Sequence, residues 1–149
     1  SRRVSQRINQ RFFGYKHSQR KGLATPKTDE YIELDLQENY KNNHARYLQV
    51  IRQIACRENA VQERGRIEKL LVDLQNPPKA AMSALRLEAI GKASIPFLKQ
   101  ALESPSLEVR FYAAEALAYL GDDSGVHDLI EAAREERAFR VYAFAALSI

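Results

Sequence analysis

A repeat of thirty residues in the second half of the chain constrains its fold more than any other feature. The stretch EVRFYAAEALAYLG (108–121) is followed thirty residues later by AFRVYAFAALSI (138–149), and both contain the frame R-x-Y-A-x-x-A-L. A fainter third copy lies thirty residues upstream, around 84–91. A fixed period of this length indicates stacked helical units, which form an α-solenoid.

The segments between the copies predict a second helix in each unit. These segments are SIPFLKQAL (94–102) and SGVHDLIEAA (124–133), with Leu98 and Leu129 in equivalent places. Gly91 and Gly121 stand where a first helix should end, and Pro105 precedes the next start. We therefore expect antiparallel helix pairs that bury one set of side chains: Ala113, Ala116, Leu117, Leu120 and Leu129.

The second copy resembles a HEAT repeat of the short bacterial kind, whose recurring form is roughly E-V-R-x-x-A-A-x-A-L-x-x-L-G-D. The matching residues are Glu108, Val109, Arg110, Ala113, Ala114, Ala116, Leu117, Leu120, Gly121 and Asp122. The resemblance covers about residues 78–149 and implies a solenoid. It says little about function, because such repeats serve enzymes, nucleic-acid binders and scaffolds.

The first half of the chain contains no copy of the repeat. SRRVSQRINQRFFG predicts an amphipathic helix with Val4, Ile8 and Phe12 on one face, and HSQRKGLATPKTD predicts a loop. EYIELDLQ alternates as a half-buried strand does, and we expect the helix to pack on its apolar face. That face comprises Ile32, Leu34 and Leu36.

Further elements complete this half. NNHARYLQVIRQIAC predicts a helix capped by Asn42 or Asn43. One strand is too little sheet for a stable core, so we expect a further strand near 23–25 or outside the chain. The residues favour a mainly α fold, a short HEAT-like solenoid of antiparallel helix pairs after a small α/β (α-β-α) domain. The predicted segments are 1–57 (α/β domain), 58–76 (connecting helix) and 77–149 (HEAT-like repeats, the last truncated), which we interpret as part of a longer protein.

A second resemblance covers about residues 1–57. RRVSQRINQRFFG and then YIELDLQENYKNNHARYLQVIRQI are similar to a segment of the bacterial flagellar P-ring protein, with a helix A-R-R-x-A-x-x-I-N-x-x-F-G, a strand V-x-V-x-V-P and a helix F-L-x-x-I-E. Gln37 replaces the proline after the strand. The resemblance implies a role in the bacterial periplasm or cell envelope. The matching residues are Arg2, Arg3, Ile8, Asn9, Phe12 and Gly14, then Ile32, Leu34 and Leu36, then Leu48 and Ile51.

The sequence contains no pattern typical of catalysis or metal binding. A single cysteine excludes an internal disulfide, and we interpret Cys56 as a small buried residue of a helix. The three histidines, His17, His44 and His127, lack metal-ligand spacing. We expect no catalytic centre, no cofactor and no metal, and no apolar run approaches the ~20 residues that span a bilayer.

Positive charge is concentrated at the beginning of the chain. Residues 1–29 contain eight lysines and arginines against Asp29 alone, interleaved with Phe12, Phe13 and Tyr15. Such residues could bind nucleic acid, an anionic envelope polymer or a partner protein, or could form a solvated surface. The candidate partner-binding residues are Arg3, Arg7, Arg11, Lys16, Arg20, Lys21, Arg110 and Arg140.

The arginines and tyrosines of the repeat have a simpler interpretation than ligand binding. Arg110 and Arg140 would each bridge to an acidic residue of the adjacent unit. The tyrosines would be packing residues rather than a stacking platform for bases: Tyr112, Tyr119 and Tyr142.

These observations lead to one favoured function and two alternatives. The favoured hypothesis is a non-enzymatic protein-protein interaction or scaffold module of a bacterial envelope or P-ring-related protein, located in the periplasm or envelope and otherwise in the cytoplasm. The first alternative is a nucleic-acid-binding HEAT-like protein that uses the basic N-terminal segment. The second is an enzyme of the short-HEAT-repeat type, such as the bilin lyases, with its active residues outside this chain.

Overall fold

The computed structural model describes residues 1–149, which form two compact units, 1–58 and 59–149. The protein is mainly helical, with a small strand-containing N-terminal part before the helical repeats, and this confirms the predicted fold class. The first unit contains α1 (Arg2–Arg11), β1 (Phe13–Lys16), β2 (Gln19–Gly22), β3 (Ala24–Pro26), β4 (Ile32–Leu34) and α2 (His44–Arg52).

The four strands form two antiparallel hairpins. β1 pairs with β2 from Phe13 opposite Gly22 to Lys16 opposite Gln19, and β3 pairs with β4. His17 and Ser18 join β1 to β2 with φ angles of 51° and 64°, the left-handed values that a type I′ turn requires. The strand expected near 23–25 is present as β3. The predicted loop was wrong at 19–22, where an exposed polar strand carries no hydrophobic alternation.

Helix α1 packs on β2 and β3 rather than on the predicted face of β4. Ile8 and Phe12 are buried as expected, but Val4 is exposed and Ser5 is buried in its place. Leu36 is exposed because β4 ends at Leu34. The predicted pairing of helix and strand faces was therefore wrong at Val4, because α1 turns Ser5 rather than Val4 to the core, and at Leu36, because β4 ends before it.

Three aromatic rings form the centre of the first unit. The ring of Phe12 lies 5.8 Å from that of Tyr40 and 5.1 Å from that of Tyr47, edge to face. The Tyr47 hydroxyl donates a hydrogen bond of 2.8 Å to the Asp35 carbonyl. Burial, with a smaller contribution from the Asp35 charge, raises the pKa of Tyr47 to about 12.

Helix α2 begins as predicted and ends earlier than predicted. The Asn43 side chain caps it, accepting a hydrogen bond of 3.1 Å from the Arg46 amide. The helix ends at Arg52, so Cys56 lies in the following irregular segment and is exposed. The predicted burial of Cys56 was wrong for this reason.

The second unit is built only of helices and short helical turns. α3 (Ala60–Leu74) packs on α4 (Pro77–Ile90), and α4 packs on α6 (Leu107–Tyr119). α5 (Ile95–Ala101) and α7 (Val126–Glu135) pack on α6, and α8 (Arg140–Leu147) packs on both α6 and α7. Thus α4, α6 and α8 are the first helices of successive repeats, and α5 and α7 are second helices.

The core of the second unit contains the side chains that the repeat predicts. Ala113, Ala116, Leu117, Leu120 and Leu129 are all buried, which confirms their predicted place between the helices. Gly91 and Gly121 have φ angles of 103° and 82°, and they end α4 and follow α6 as expected.

The second repeat contains one especially close contact between helices. A Cβ atom on Gly125, at the beginning of α7, would lie 2.5 Å from the Cβ of Ala114 in α6. Atoms do not approach this closely, so α7 keeps this position only with glycine there. The same position in the preceding repeat is Ser94, which is buried.

Candidate partner-binding surfaces

Arg110 is bound within the solenoid. Its Nη1 donates a hydrogen bond of 2.8 Å to the Ser104 carbonyl, its Nε lies 3.3 Å from Asp128 Oδ1, and its Nη2 lies 3.1 Å from Glu131 Oε1. The predicted bridge to acidic residues is present, but these residues belong to α7 of the same repeat rather than to an adjacent unit. The reason is that α7 returns along α6, which brings its acidic face to Arg110.

The environment of Asp128 shows how tightly this ion pair is enclosed. Burial raises the pKa of the Asp128 carboxyl above its ordinary value, the Arg110 guanidinium limits the increase, and Glu131 adds to it. The side chains of Arg110 and Asp128 are both mostly buried. Arg110 therefore stabilises the α6–α7 pair and is not displayed to a partner.

Arg140 is exposed and makes a different contact. Its Nε donates a hydrogen bond of 2.8 Å to the carbonyl of Ala133, in the last turn of α7. A cation at this end of a helix is favourable, because the last carbonyl groups carry partial negative charge. The predicted bridge from Arg140 to an acidic side chain is not formed, since this carbonyl takes its place.

The repeat tyrosines differ in their surroundings. Tyr119 is buried, and Tyr112 is half-buried against the rings of Phe111 and Phe139, at 5.1 and 5.5 Å. Burial, followed by the charge of Glu108, raises the pKa of Tyr112. Tyr142 is exposed, so the predicted packing role holds for the other two and was wrong for Tyr142.

The outer face of α8 displays large apolar side chains that the sequence analysis did not single out. Val141 is 75% exposed and Phe144 is 60% exposed. Their counterparts thirty residues earlier, Phe111 and Ala114, are buried. The ring of Phe111 is stacked on that of Phe139 at 4.3 Å. The signal in the sequence was the replacement of Ala114 by phenylalanine in the next copy.

A groove of about 160 Å³ lies between α6, the loop that follows it, α7 and α8. It is lined largely by small apolar residues, with Asp122 and Asp123 beside them. Burial alone would raise the pKa of Asp122, but hydrogen bonds from Ser124 and the charge of Lys99 lower it overall. In this loop Asp122 Oδ1 accepts a hydrogen bond of 2.9 Å from the Ser124 amide.

The candidate residues of α1 are only partly free. Arg7 donates from Nε to the Ala55 carbonyl at 2.8 Å and from Nη1 to Gln10 Oε1 at 2.9 Å. The guanidinium of Arg11 lies 4.2 Å from the centre of the Phe12 ring. Arg3 is exposed on the helix surface.

The candidate residues of the β1–β2 hairpin also include both bound and exposed side chains. The Arg20 guanidinium lies 3.8 Å from the centre of the Phe13 ring and donates to the carbonyls of Asn9 and Gln10 at 3.3 Å. Lys21 pairs with Asp35 at 3.7 Å, and Lys16 is exposed. These cations all belong to the first unit, whereas Arg110 and Arg140 belong to the second.

No group of three or more histidine, cysteine, aspartate or glutamate residues is placed to hold a metal ion. None of the helices combines the length and the apolar character needed to cross a bilayer.

The second unit is an α-solenoid, because its helices form stacked pairs in which the first helices, α4, α6 and α8, pack side by side. In a comparison with protein families, residues 66–149 match the family of HEAT repeats, and the chain belongs to it. Comparisons with curated proteins and with solved structures found no match. HEAT repeats are generally scaffold modules for protein interactions, and the family is typically non-enzymatic.

Proposed function

We propose that this protein is a non-enzymatic scaffold of the bacterial envelope whose HEAT repeats dock a partner protein on the outer face of α8. The observation that carries the proposal is the exposure of Val141 and Phe144, since their counterparts in α6 are buried. Large apolar side chains grouped on one surface mark protein interaction sites more often than ordinary surface.

The sequence of α8 also gives this face a large aromatic residue. The corresponding residue of α6 is Ala114, which the second helix approaches so closely that glycine is required at 125. Phe144 occupies this position in α8, and its side chain is 60% exposed. A partner surface with a recess would take this ring, and aromatic side chains often anchor such interfaces.

The envelope part of the proposal rests on the resemblance of residues 1–57 to the flagellar P-ring protein. The three matched segments lie around α1, β4 and α2, in the same order, with Phe12, Gly14 and Leu36 beyond the ends of α1 and β4. Two of the matched residues have clear structural roles, because Phe12 is in the aromatic core and Asn9 binds the backbone of β3. The first unit would then take part in assembly, while the second docks the partner.

Site-specific photo-crosslinking tests the docking face. A photoreactive phenylalanine analogue replaces Val141 in one variant and Val61, an 80% exposed residue of α3, in the matched control. In the native cells we expect a discrete crosslinked product from position 141 and none from position 61. Equal crosslinking from both positions, or none from 141, would overturn the docking proposal.

A separate measurement tests the location. The product of the full-length gene, with an epitope tag, is followed by fractionation of the native cells and by protease treatment of spheroplasts. We expect the tagged protein in the envelope or periplasmic fraction, degraded once the outer membrane is opened. If the tagged protein resists the protease, as cytoplasmic marker proteins do, the envelope proposal is contradicted. The docking proposal would not be affected by that result.

A further inference from the structure

The charged residues among the first 28 are all of one sign. These 28 residues contain eight lysines and arginines and no aspartate or glutamate. Because α1 packs on β2 and β3, these charges belong to one compact body rather than to a flexible tail. A concentration of positive charge of this kind attracts polyanions and accelerates their association.

Only part of this charge is neutralised by carboxylates. Lys21 pairs with Asp35, and Lys27 pairs with Glu33 at 3.3 Å. Arg7 and Arg20 bind carbonyl oxygens, which orient the guanidinium groups without cancelling their charge. A net positive surface remains.

The β1–β2 hairpin adds an exposed aromatic face to this charge. Side chains alternate along a strand and directly paired residues share a face, so Phe13, Tyr15 and Arg20 lie on one side of the hairpin. The rings of Phe13 and Tyr15 are 6.1 Å apart, edge to face, and the Arg20 guanidinium covers Phe13. Tyr15 is 73% exposed.

The packing of the first unit explains Arg20 but not Tyr15. Arg20 reaches the last carbonyls of α1, a favourable place for a cation. Tyr15 extends beyond this contact and leaves most of its ring in water. An exposed ring beside cations suits a ligand that has both flat faces and negative charge.

We propose that α1 and the β1–β2 hairpin bind single-stranded nucleic acid. A base stacks on Tyr15, and the strand passes around the β1–β2 turn, where a phosphate contacts Lys16, the next residue of β1, whose side chain lies on the opposite face of the hairpin. The exposed cations of α1 attract more distant phosphates. Stacking of this kind tolerates any sequence, because every base has a flat face. An acidic protein segment would use the charges and leave the ring unexplained. The inference does not depend on the docking face, which belongs to the second unit.

Fluorescence anisotropy of the full chain with labelled single-stranded DNA and RNA of mixed sequence tests the proposal. We expect binding that weakens with salt, and a loss of roughly tenfold or more in affinity for Tyr15→Ala. Tyr31→Ala is the matched control, because Tyr31 is 70% exposed in the same unit and lies outside the hairpin. It should bind as the unchanged protein does.

Charge variants test the phosphate contacts in the same assay. Lys16→Gln should reduce the slope of log affinity against log salt by about 0.7, the value for one phosphate contact on a single strand. Lys41→Gln, which removes an exposed lysine outside the hairpin, should leave the slope unchanged. Circular dichroism verifies that each variant retains its helical content.

Several results would overturn the proposal. These are an absence of binding at low salt, equal effects of Tyr15→Ala and Tyr31→Ala, and equal slopes for the two lysine variants. Heparin and polyglutamate serve as competitors without bases. If either polymer binds as tightly as the oligonucleotides and is equally sensitive to Tyr15→Ala, the surface is assigned to another kind of polyanion.

Discussion

Asn9 holds Ala24 by two hydrogen bonds that join helix α1 to strand β3. Its Nδ2 donates to the Ala24 carbonyl at 2.9 Å, and its Oδ1 accepts from the Ala24 amide at 2.7 Å. Gly22 leaves the space for this side chain, because a Cβ there would lie 2.1 Å from Asn9 Cγ. The contact fixes the position of α1 on β3.

Alanine at position 22 should therefore disrupt the first unit. We expect Gly22→Ala to cost at least about 1–3 kcal/mol, the usual penalty for overpacking, because Asn9 must leave its two bonds. Gly14→Ala is the control, since a Cβ there would meet only Leu23 at 4.0 Å. Urea denaturation followed by tyrosine fluorescence measures both. Equal stability of the two variants would show that Asn9 does not hold β3.

Two glycines of the second unit should respond to alanine with opposite signs. Gly125→Ala should destabilise the solenoid, because the new methyl group collides with Ala114. Gly65→Ala should stabilise it by about 0.5–1 kcal/mol, since Gly65 is inside α3 with open space around it and alanine favours helix. Thermal unfolding followed by circular dichroism gives both changes. The packing of α7 on α6 is misassigned if Gly125→Ala is as stable as the unchanged protein.

Truncation of the central leucine of α6 should weaken the solenoid strongly. Leu117 is fully buried in the core of the second unit, so Leu117→Ala should cost about 2–5 kcal/mol. Val141→Ala removes apolar atoms from an exposed site of α8 and should change stability by less than about 0.5 kcal/mol. Chemical denaturation gives the free energy of unfolding of both variants, and similar losses of stability would contradict the alignment of the repeats.

The contribution of the Arg110–Asp128 pair to the stability of the second unit should depend on pH. At neutral pH Arg110→Gln should lose about 1.5–3 kcal/mol of stability, the range for hydrogen bonds to charged groups, whereas Arg140→Gln loses a single hydrogen bond, to the Ala133 carbonyl, and less stability. As pH falls through the Asp128 pKa, its carboxyl is protonated and the unchanged protein also loses the ion pair. The difference between the two proteins should therefore shrink in acid.

The direction of the Asp128 shift sets the pH range of this effect. Because burial raises the pKa of Asp128, the stability difference between the two proteins should begin to shrink at a higher pH than it would for an aspartate with an ordinary pKa. Asp128 itself favours the folded state most when protonated, and this contribution is lost as pH rises through its folded pKa. Denaturation curves from neutral to acidic pH measure the difference, and a constant difference would show that Arg110 stabilises the fold through its other contacts, such as the hydrogen bond to the Ser104 carbonyl, rather than through Asp128.

The sequence predicts the second unit far better than the first. Helices such as α6 repeat one apolar pattern, so the burial of Leu117 and Leu129 can be predicted from periodicity. In the first unit every element is short, and its ends determine which residues are buried. The hairpin depends on left-handed backbone angles at His17 and Ser18, and these residue types do not predict a type I′ turn as Asn-Gly would.

The candidate sites, too, could be predicted from the sequence only in part. An acidic partner for Arg110 could be predicted from charge, but its place in α7 depends on how the helices pack. The exposure of Phe144 depends on which neighbour covers each helix, and the repeat pattern alone indicates a buried position. Tyr15 was visible as an aromatic residue among cations, and only the strand register shows that it shares a face with Arg20.

The most direct test of the scaffold function is the affinity of the protein for the partner captured at position 141, measured by calorimetry. We expect Phe144→Asp to weaken binding by about thirtyfold or more, the effect of losing an interface anchor. Val61→Asp, at an exposed valine of α3, should bind as the unchanged protein does. Unchanged affinity of Phe144→Asp, with its fold intact, would contradict docking on α8.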